Sequence, residues 1–505
     1  GNYAPVHEEN VNVAVEVVEG RLPRGLDGIL CRNGPNPTEQ LSKRYHWFDG
    51  HAMLHNLRFQ SDDGGERVFY TNQYVPCPRY ELEKEFGEDY FPTLGEYDGI
   101  LGLVKILFHP NMVSEQLEDL KQTSAPNTAC LMYRNKFYCL NEGGLPFECR
   151  ILPDGRLESV GHEDFDGALD YPVSAHPLID PNTGDLLFHS YSPNLDMMKR
   201  DGPIKVGRFS AKSNKVENYF GPRLNEEHTS FAHSLLFTER YMIVWDCSVH
   251  FDKQALFDGG SWFRSNPDFN LRFGILDKLM ARKAEDVMWF DTGKPGGIVH
   301  PLNAWEEEED GTVVIWTPFC KDLNLDLDAE DLNVFNMVEF RLDPRTGKVT
   351  KRVIDDTVNV EFSAVRTMGQ MERFGYTAIQ DESTPGEGSF SGFCVWDMIE
   401  GKLHKKLYYE NGEVGGEPIL IPYGDEVLVG VYQQQGDDES FFALYDGETT
   451  ELIARLKMPY RVPFGFHGLW VNGDELQKHF AHHGIESNEV GTDVAQPALT
   501  GVRVR

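Results

Sequence analysis

Short β-type segments separated by turn signals recur along the whole chain, and this pattern limits the fold more than any other feature. Segments rich in Val, Ile, Phe, Tyr and Trp, which strands favour, occur at residues 67–75, 129–140, 186–191, 234–245, 312–318, 334–342, 426–432 and 441–445. Residues 180–184 (DPNTG) and 343–347 (DPRTG) have the composition of hairpin turns. Many short antiparallel strands in 505 residues predict an all-β fold, either a large barrel or a β-propeller.

Acidic side chains outnumber basic ones by 81 to 47, which gives the chain a net charge of -34. Such a charge repels the phosphate backbone of nucleic acid and the headgroups of anionic lipids. We therefore expect no nucleic acid among the partners of this protein. Any contact with a membrane would have to be hydrophobic.

The eight cysteines include no C-x-x-C pair, so the sequence does not predict a zinc site of the usual spacing. In a chain of this length they are typical of reduced thiols in a reducing compartment. No signal peptide is visible, and the first residue is Gly1 rather than methionine, as it would be after removal of a transit peptide. We expect an intracellular protein, in the cytoplasm or in a plastid. The oligomeric state stays open.

Four histidines, His176, His233, His300 and His467, lie in similar segments with small or apolar neighbours (SAHP, FAHS, IVHP and GFHG). A neutral imidazole is a good ligand for a divalent transition metal. Four such ligands without a carboxylate would leave positions on an octahedral iron where dioxygen could bind. Spacing does not by itself select these four from the 17 histidines of the chain.

The intervals between these histidines favour a propeller. The first three are 57 and 67 residues apart, close to the ~40–60 residues of a four-stranded blade with its loops. The last interval, of 167 residues, is long enough for more than one blade. The inner strands of a propeller converge on its axis, so residues that are distant in sequence meet there. The blades show no visible repeat in sequence.

Few segments have a helical pattern. Residues 79–86 predict a short charged helix, and residues 98–108, from Asp98 to Phe108 (DGILGLVKILF), are almost entirely apolar. The second segment is too short to span a bilayer. It is either a buried core helix or a patch that contacts a membrane surface peripherally. A further apolar cluster lies at residues 255–263.

Seven motifs, in order along the chain, give it a nearly end-to-end resemblance to the carotenoid cleavage oxygenases. They are residues 1–6 (GNYAPV), 32–37 (RNGPNP), 47–55 (WFDGHAMLH), 175–181 (AHPLIDP), 231–245 (FAHSLLFTERYMIVW), 300–308 (HPLNAWEEE) and 461–469 (RVPFGFHGL). The last four contain the four histidines.

The chain also departs from that family. Where the family more often has Asp-Gly, this chain has His51 and Ala52. The pattern around His51 and His55 is strand-like, so their four-residue spacing does not predict a second metal site. The Pro-Asp-Pro-Cys-Lys stretch of the animal retinoid members is absent, which disfavours a retinoid isomerase.

The resemblance implies a seven-bladed β-propeller, with a cap of loops and short helices over an iron-bearing axis. It implies one domain over residues 1–505, with cap insertions at about 79–125 and 250–265. The four histidines would hold iron(II), and three glutamates would orient the imidazoles: Glu142, Glu361 and Glu417. Independently of the family, a ligating imidazole needs an acceptor for its second N–H, and a buried glutamate needs such a donor.

The same resemblance implies an iron-dependent dioxygenase that cleaves a conjugated C=C bond of a carotenoid or apocarotenoid into two carbonyl products. The partners would be an apolar polyene and O2, in a tunnel whose wall includes Phe231 and Phe466. The glycine spacing of residues 85–107 resembles that of the plant-type enzymes, which commonly cleave the 9,10 or 9′,10′ bond.

Three alternatives stay open. A stilbenoid-cleaving dioxygenase of the same fold would need polar groups that hold a phenol. A non-catalytic propeller that binds a partner would have no use for four histidines and three glutamates, and metal analysis separates it from an enzyme. An isomerase or hydrolase could use the same iron as a Lewis acid, and oxygen consumption separates that activity from a dioxygenase.

Overall fold

A computed structural model describes most of the chain, namely residues 1–38, 46–87, 91, 93, 124–169, 172–191, 204–221, 229–251, 263–325, 333–380 and 389–486. These residues are almost entirely β-structure. The helices among them are α1 (Pro78–Phe86), α2 (Gly473–His483) and a short 3₁₀ turn (Ala284–Asp286). No helix in this part of the chain is long and apolar enough to cross a membrane.

The strands of the described residues are numbered β1 to β34 in chain order. They are Asn10–Ala14, Glu16–Gly20, Gly28–Asn36, His51–Asp62, Gly65–Tyr74, Ala129–Tyr133, Lys136–Leu140, Phe147–Ile151, Leu157–His162, Leu178–Ile179, Leu186–Tyr191, Ile204–Ser210, Lys215–Phe220, Thr229–Ser230, Leu236–Phe237, Tyr241–Asp246, Val249–Phe251, Phe263–Ser265, Arg272–Asp277, Met288–Asp291, Asn303–Glu306, Val313–Cys320, Phe335–Asp343, Lys348–Asp355, Val360–Val365, Phe374–Gln380, Phe390–Asp397, Lys402–Tyr408, Val414–Gly415, Ile419–Tyr423, Glu426–Gln435, Glu439–Asp446, Leu452–Lys457 and Gly468–Asn472.

Within the described residues these strands form seven antiparallel blades. The first blade has the order β1-β5-β4-β3-β34. The next four are β6-β7-β8-β9, β10-β11-β12-β13, β15-β16-β19-β20 and β21-β22-β23-β24. The last two are β25-β26-β27-β28 and β30-β31-β32-β33, with β2 at the outer edge of the latter. β29 pairs with both of these blades, and β14, β17 and β18 form a small separate sheet. The arrangement confirms the predicted all-β, seven-bladed propeller.

The middle strands of the blades carry the core. All eight residues of β22 (VVIWTPFC) are buried, because neighbouring blades cover both faces of the strand. Val313 and Ile315 pack against the preceding blade, whereas Val314 and Trp316 pack against the following one. A strand covered on both faces needs a continuous apolar run rather than alternation. The outer strand β24 (KVTKRVID) is covered much less, and its sequence is correspondingly polar.

Each predicted β-segment contains a strand, but residues 129–140 and 234–245 each contain two. The first segment turns at Arg134 and Asn135, which have φ angles of 52° and 65°. Asparagine tolerates this left-handed backbone, whereas arginine seldom adopts it, so the sequence did not indicate a turn. The two predicted turns of the DP-x-TG type connect β10 to β11 and β23 to β24, as expected.

The predicted helix at residues 79–86 is confirmed as α1, and a buried contact between a carboxylate and an imidazole ties it to the first blade. The carboxylate of Glu83 lies 2.9 Å from Nε2 of His51 on β4. His55, four residues further along β4, instead bonds the hydroxyl of Tyr70 through Nδ1 (2.8 Å). His51 and His55 therefore have separate partners and do not form a metal pair.

The apolar segment at residues 98–108 lies outside the described residues. So do most residues of the two predicted cap insertions and of the cluster at 255–263, so these assignments stay predictions. All eight cysteines lie within the described residues, and all are free thiols.

The two ends of the described chain share a blade. β34 pairs with β3, with Arg32 opposite Gly468. Helix α2 follows β34 directly and docks through His479, which is fully buried. The N–H of Ile151 donates to Nε2 of His479 (2.9 Å), and Nδ1 donates to the carbonyl of Asn135 (2.7 Å). Burial lowers the pKa of His479 to about 4, so this imidazole is neutral at pH 7.

Candidate metal centre

Each of the four predicted ligands lies just before an edge strand of a different blade. His176 precedes β10 by two residues, His233 and His300 precede β15 and β21 by three, and His467 directly precedes β34. These four strands start at the same end of the propeller axis, so the histidines that precede them meet there. The 167-residue interval before His467 corresponds to three blades, which is why it is about three times as long as the others.

The imidazoles form one compact cluster. One nitrogen from each of the four histidines lies within 4.8 Å of the others, and this is the only group of this kind among the described residues. Nε2 of His233 is 2.9 Å from Nε2 of His176 and 3.0 Å from Nε2 of His300. Two nitrogens that are each about 2.1 Å from one ion and 90° apart are separated by about 3.0 Å. The cluster therefore has the dimensions of a transition-metal site with neighbouring octahedral positions filled by nitrogen.

Two of the predicted glutamates, which lie near the starts of two further blades, accept hydrogen bonds from the imidazoles. Glu361 is the second residue of β25, and its Oε2 accepts from Nδ1 of His300 while its Oε1 accepts from the backbone N–H of the same residue (3.1 Å). Glu417 lies two residues before β30 and accepts from Nδ1 of His467 (2.8 Å) and from the N–H of Gly468 (2.7 Å). With Nδ1 protonated, each Nε2 keeps a lone pair that points into the cluster.

The third glutamate, Glu142, comes from the loop after β7 rather than from the start of a blade. Its Oε1 is 3.4 Å from Nδ1 of His233, 3.1 Å from the N–H of Ala175 and 3.4 Å from Oγ of Ser174. Ser174 Oγ also donates to the carbonyl of His233 (2.7 Å). Glu142 thus connects the segments that carry His176 and His233.

Burial keeps two of the four imidazoles, those of His176 and His233, neutral. Removal from water lowers the pKa of His176 and of His233 well below the ordinary value, and the neighbouring imidazoles lower it further. Neutral imidazoles can donate electron pairs to a metal at neutral pH. The cluster therefore offers four imidazole nitrogen donors, and its carboxylates lie behind the imidazoles.

Phe362 contacts this site, although sequence patterns did not single it out. Its ring stacks on the imidazole of His300, with centroids 5.0 Å apart and planes at 17°, and it also contacts His467 (5.2 Å) and Phe390 (5.1 Å). Strand periodicity would place Phe362 on the face opposite Glu361. A β-bulge between Glu361 and Ser363, with a φ of 50° at Phe362, turns both side chains toward the cluster.

Of the two aromatic residues predicted to line a substrate tunnel, Phe231 contacts the cluster, whereas the ring of Phe466 packs against other aromatic side chains. The ring of Phe231 is parallel to that of His233, with centroids 5.7 Å apart and planes at 5°. Phe466 is buried against Trp47 (4.8 Å) and Phe48 (5.1 Å). Their role as a tunnel wall stays a prediction.

A cavity of about 150 Å³ adjoins the imidazoles on the side of the inner strands. Besides His176, His300, His467 and Glu417, its lining is apolar or small, and consists of Leu178, Ser234, Leu235, Pro301, Ser363 and Met368. Ser234 and Pro301 directly follow a predicted ligand in sequence, and Leu178 and Leu235 lie two positions after one. Their position beside each histidine is the signal from which this lining could have been predicted.

A family model described as RPE65, retinal pigment epithelial membrane protein, matches residues 3–472 of the chain. The chain belongs to this family, the carotenoid cleavage oxygenases. Among its relatives, the probable carotenoid cleavage dioxygenase 4 (chloroplastic) of Arabidopsis thaliana is 28% identical over 94% of this chain and 81% of its own. The carotenoid 9,10(9′,10′)-cleavage dioxygenase 1 of the same plant is 28% identical over 95% of this chain and 90% of its own.

A solved structure also aligns with almost the whole chain. The lignostilbene dioxygenase of Pseudomonas brassicacearum superposes with a TM-score of 0.76 and 21% sequence identity, and the alignment covers 94% of this chain and 98% of the other. At this level of identity the likeness concerns the fold. The resemblance that was inferred from the motifs is confirmed.

Proposed function

We propose that this carotenoid cleavage oxygenase is an iron(II)-dependent dioxygenase that cleaves a conjugated C=C bond of a carotenoid or apocarotenoid into two carbonyl products. The observation that carries the proposal is the cluster of four imidazoles with neighbouring Nε2 atoms 2.9 and 3.0 Å apart. The relatives that are named for carotenoid cleavage, one of them for the 9,10 and 9′,10′ bonds, support this substrate class and favour that bond.

The donor set fits the proposed metal. Imidazole nitrogen suits iron, and four neutral ligands would leave the ion its full positive charge and open positions. A polyene has no group on which acid–base catalysis could act, and iron(II), when bound, would supply a place for O2 beside the double bond. In this proposal His176, His233, His300 and His467 hold the ion, while Glu142, Glu361 and Glu417 keep the Nδ1 protons in place.

The aromatic side chains around the cluster would bind the substrate. Phe362 covers the imidazole of His300, and Phe231 covers that of His233. Together with Phe466, they would give an apolar polyene a surface without hydrogen-bonding demands and would keep water away from the reacting bond. The place at which the polyene stops along this surface would decide which bond lies beside the ion.

The first test is anaerobic purification with metal analysis, followed by oxygen-uptake assays with a carotenoid, an apocarotenal and resveratrol. We expect about one iron per chain and aldehyde products from a polyene, whose masses identify the bond. Cleavage of resveratrol only would favour the stilbenoid alternative. Conversion of substrate without oxygen uptake would indicate an isomerase or a hydrolase, and protein that binds no metal would indicate a binding module.

The ligand assignment has a matched pair of variants. His300→Ala should lose iron and oxygen uptake with the fold retained. His7→Ala, at an exposed position that is distant in sequence from His300, should keep both. Full iron content and turnover in His300→Ala would contradict the assignment.

Three further predictions accompany the proposal. The protein is intracellular, in the cytoplasm or a plastid, which the chloroplastic relative supports for the plastid. Residues 98–108 provide a peripheral membrane contact through which a lipid-soluble substrate arrives. Residues 1–505 form one domain, with the cap insertions facing the metal centre.

A further inference from the structure

Arg32, in the motif RNGPNP, is a buried cation that has no carboxylate partner among the described residues. Its residue is 4% exposed, and Nη2 donates to the carbonyl of Pro463 (2.6 Å). Nε is buried and has no hydrogen-bond partner. Burial of a charge without a counter-ion is unfavourable, so buried arginines are normally paired. Arg208, another buried arginine, follows this rule, since it pairs with Asp185 and Glu217.

The guanidinium of Arg32 lies between an aromatic ring and a glycine. On one side its Cζ is 4.6 Å from the centre of the Tyr432 ring, and Tyr432 is itself fixed because its hydroxyl donates to the carbonyl of His55 (3.1 Å). On the other side is Gly465, where an added Cβ would lie 2.9 Å from Nε and 3.0 Å from Cζ of Arg32. The planar guanidinium therefore fills the space between the last blade and the segment that contains Pro463 and Gly465.

This segment delivers His467. The N–H of Phe466 donates to the carbonyl of Asn33 (2.8 Å), the N–H of Asn33 donates to the carbonyl of His467 (3.0 Å), and Arg32 pairs with Gly468. The strand β34 that follows His467 is an edge strand, paired only with β3. The position of His467 thus depends on residues 32 and 33, more than 400 residues away in sequence.

We propose that Arg32 is a positioning residue for the metal centre, whose guanidinium between Tyr432 and Gly465 fixes the segment that presents His467. The inference rests on the proposed function, in which His467 is a ligand. The planar guanidinium of arginine, with its five N–H donors, can stack on an aromatic ring at this position, whereas lysine would keep the charge but not the planar group. Arg32 acts through His467 and touches no reacting atom.

The test measures metal affinity in the full chain, with cobalt(II) as the probe and its visible absorption as the readout. Arg32→Met should weaken cobalt(II) binding about 10-fold, the lower end of the range for residues that orient ligands. It should also lower kcat with little change in KM. Arg32→Lys should recover only part of the affinity. Unchanged binding in Arg32→Met would overturn the proposal.

Arg208→Met is the matched control. It removes a buried arginine from β12 and deprives Asp185 of this ion-pair partner, so it destabilises the propeller without contact to the segment before β34. We expect the cobalt(II) affinity of the folded protein to stay within about twofold of wild type. A loss equal to that of Arg32→Met would show that general destabilisation explains both variants, and would overturn a positioning role.

A second test uses Gly465→Ala. The added methyl group meets the guanidinium of Arg32, so it should weaken cobalt(II) binding, and it should do so less in the Arg32→Met background, where the side chain can move aside. Strictly additive losses would contradict contact between the two residues. Failure of wild-type protein to bind metal would refute the proposed function, whereas normal wild-type binding with unaffected variants would refute only the role of Arg32.

Discussion

Replacing each of the three glutamates by glutamine should weaken metal binding by unequal amounts, and the structure gives the order. Glu361 has three N–H donors on its two oxygens: the backbone and Nδ1 of His300 and the backbone of Phe362. A glutamine amide keeps one oxygen and places an NH₂ group where the other was. Whichever way the amide is turned, at least one buried N–H then faces another donor.

The cost of that conflict can be estimated. A buried donor left without an acceptor costs about 1–3 kcal/mol, and the change from a charged to a neutral acceptor weakens the remaining bonds by about 1 kcal/mol. A total of about 2–4 kcal/mol corresponds to a roughly 30- to 900-fold loss of metal affinity for Glu361→Gln. The lower part of this range overlaps the tenfold to hundredfold loss typical of groups that orient metal ligands.

The other two positions should be less sensitive. Glu417 has one donor on each oxygen, from His467 and Gly468, so a glutamine can keep the imidazole and lose only the backbone bond, at a cost of roughly tenfold. The contacts of Glu142 to His233, Ala175 and Ser174 all fall on Oε1 and are longer. A single amide oxygen can replace them, so we expect a loss below about fivefold.

The assay is anaerobic competition for iron(II) or cobalt(II) with a chelator of known affinity, combined with oxygen uptake by the loaded proteins. Circular dichroism would show that each variant is folded. The expected order of loss is Glu361→Gln, then Glu417→Gln, then Glu142→Gln. Equal losses at all three positions, or the largest loss at Glu142, would refute the reasoning from donor count.

Three further changes have defined outcomes. The pKa of His479 in the folded protein is about 4, below its ordinary value of 6.5. The stability that this difference contributes is therefore complete above pH 6.5 and is lost as the pH falls toward 4. Denaturant unfolding should show a loss of about 2 kcal/mol at pH 5, and this loss should be missing in His479→Gln. Lys278→Met should cost about 3–5 kcal/mol in the same assay, because it leaves the buried Asp180 without its partner, while metal affinity of the folded protein stays unchanged. Phe362→Ala opens space beside His300, and product masses from a mixture of polyenes should show a wider range of cleaved bonds.

Much of the fold and of the candidate site followed from sequence because ligand chemistry restricts residue type. The segments around His176, His233, His300 and His467 could be selected through their resemblance to a family, and the structure brings all four together. The strand-favouring segments and the turn signals between them gave the all-β class, since the middle strands of the blades are covered on both faces and need continuous apolar runs. The number of blades followed from the resemblance to the family.

Other features could not be predicted, for identifiable physical reasons. The ring of Phe362 faces the cluster because a bulge with a positive φ reverses the strand period, and no glycine marks the place. The turn at Arg134 and Asn135 likewise places an arginine, which seldom adopts left-handed backbone, at its first position. The setting of Arg32 depends on Tyr432 and Gly465, which only the closed ring brings beside it.

The wide spacing of the four histidines has a consequence for biosynthesis. A ribosome that has completed His176 must add 291 more residues before His467 exists, which takes roughly 15–60 s at typical rates of synthesis. During that time a nascent chain can offer at most three of the four imidazoles, and β34 is not yet present to pair with β3. In the proposed enzyme, full iron coordination would therefore have to wait for His467, and cells that make the protein quickly would need a supply of iron(II) for chains that have passed this residue.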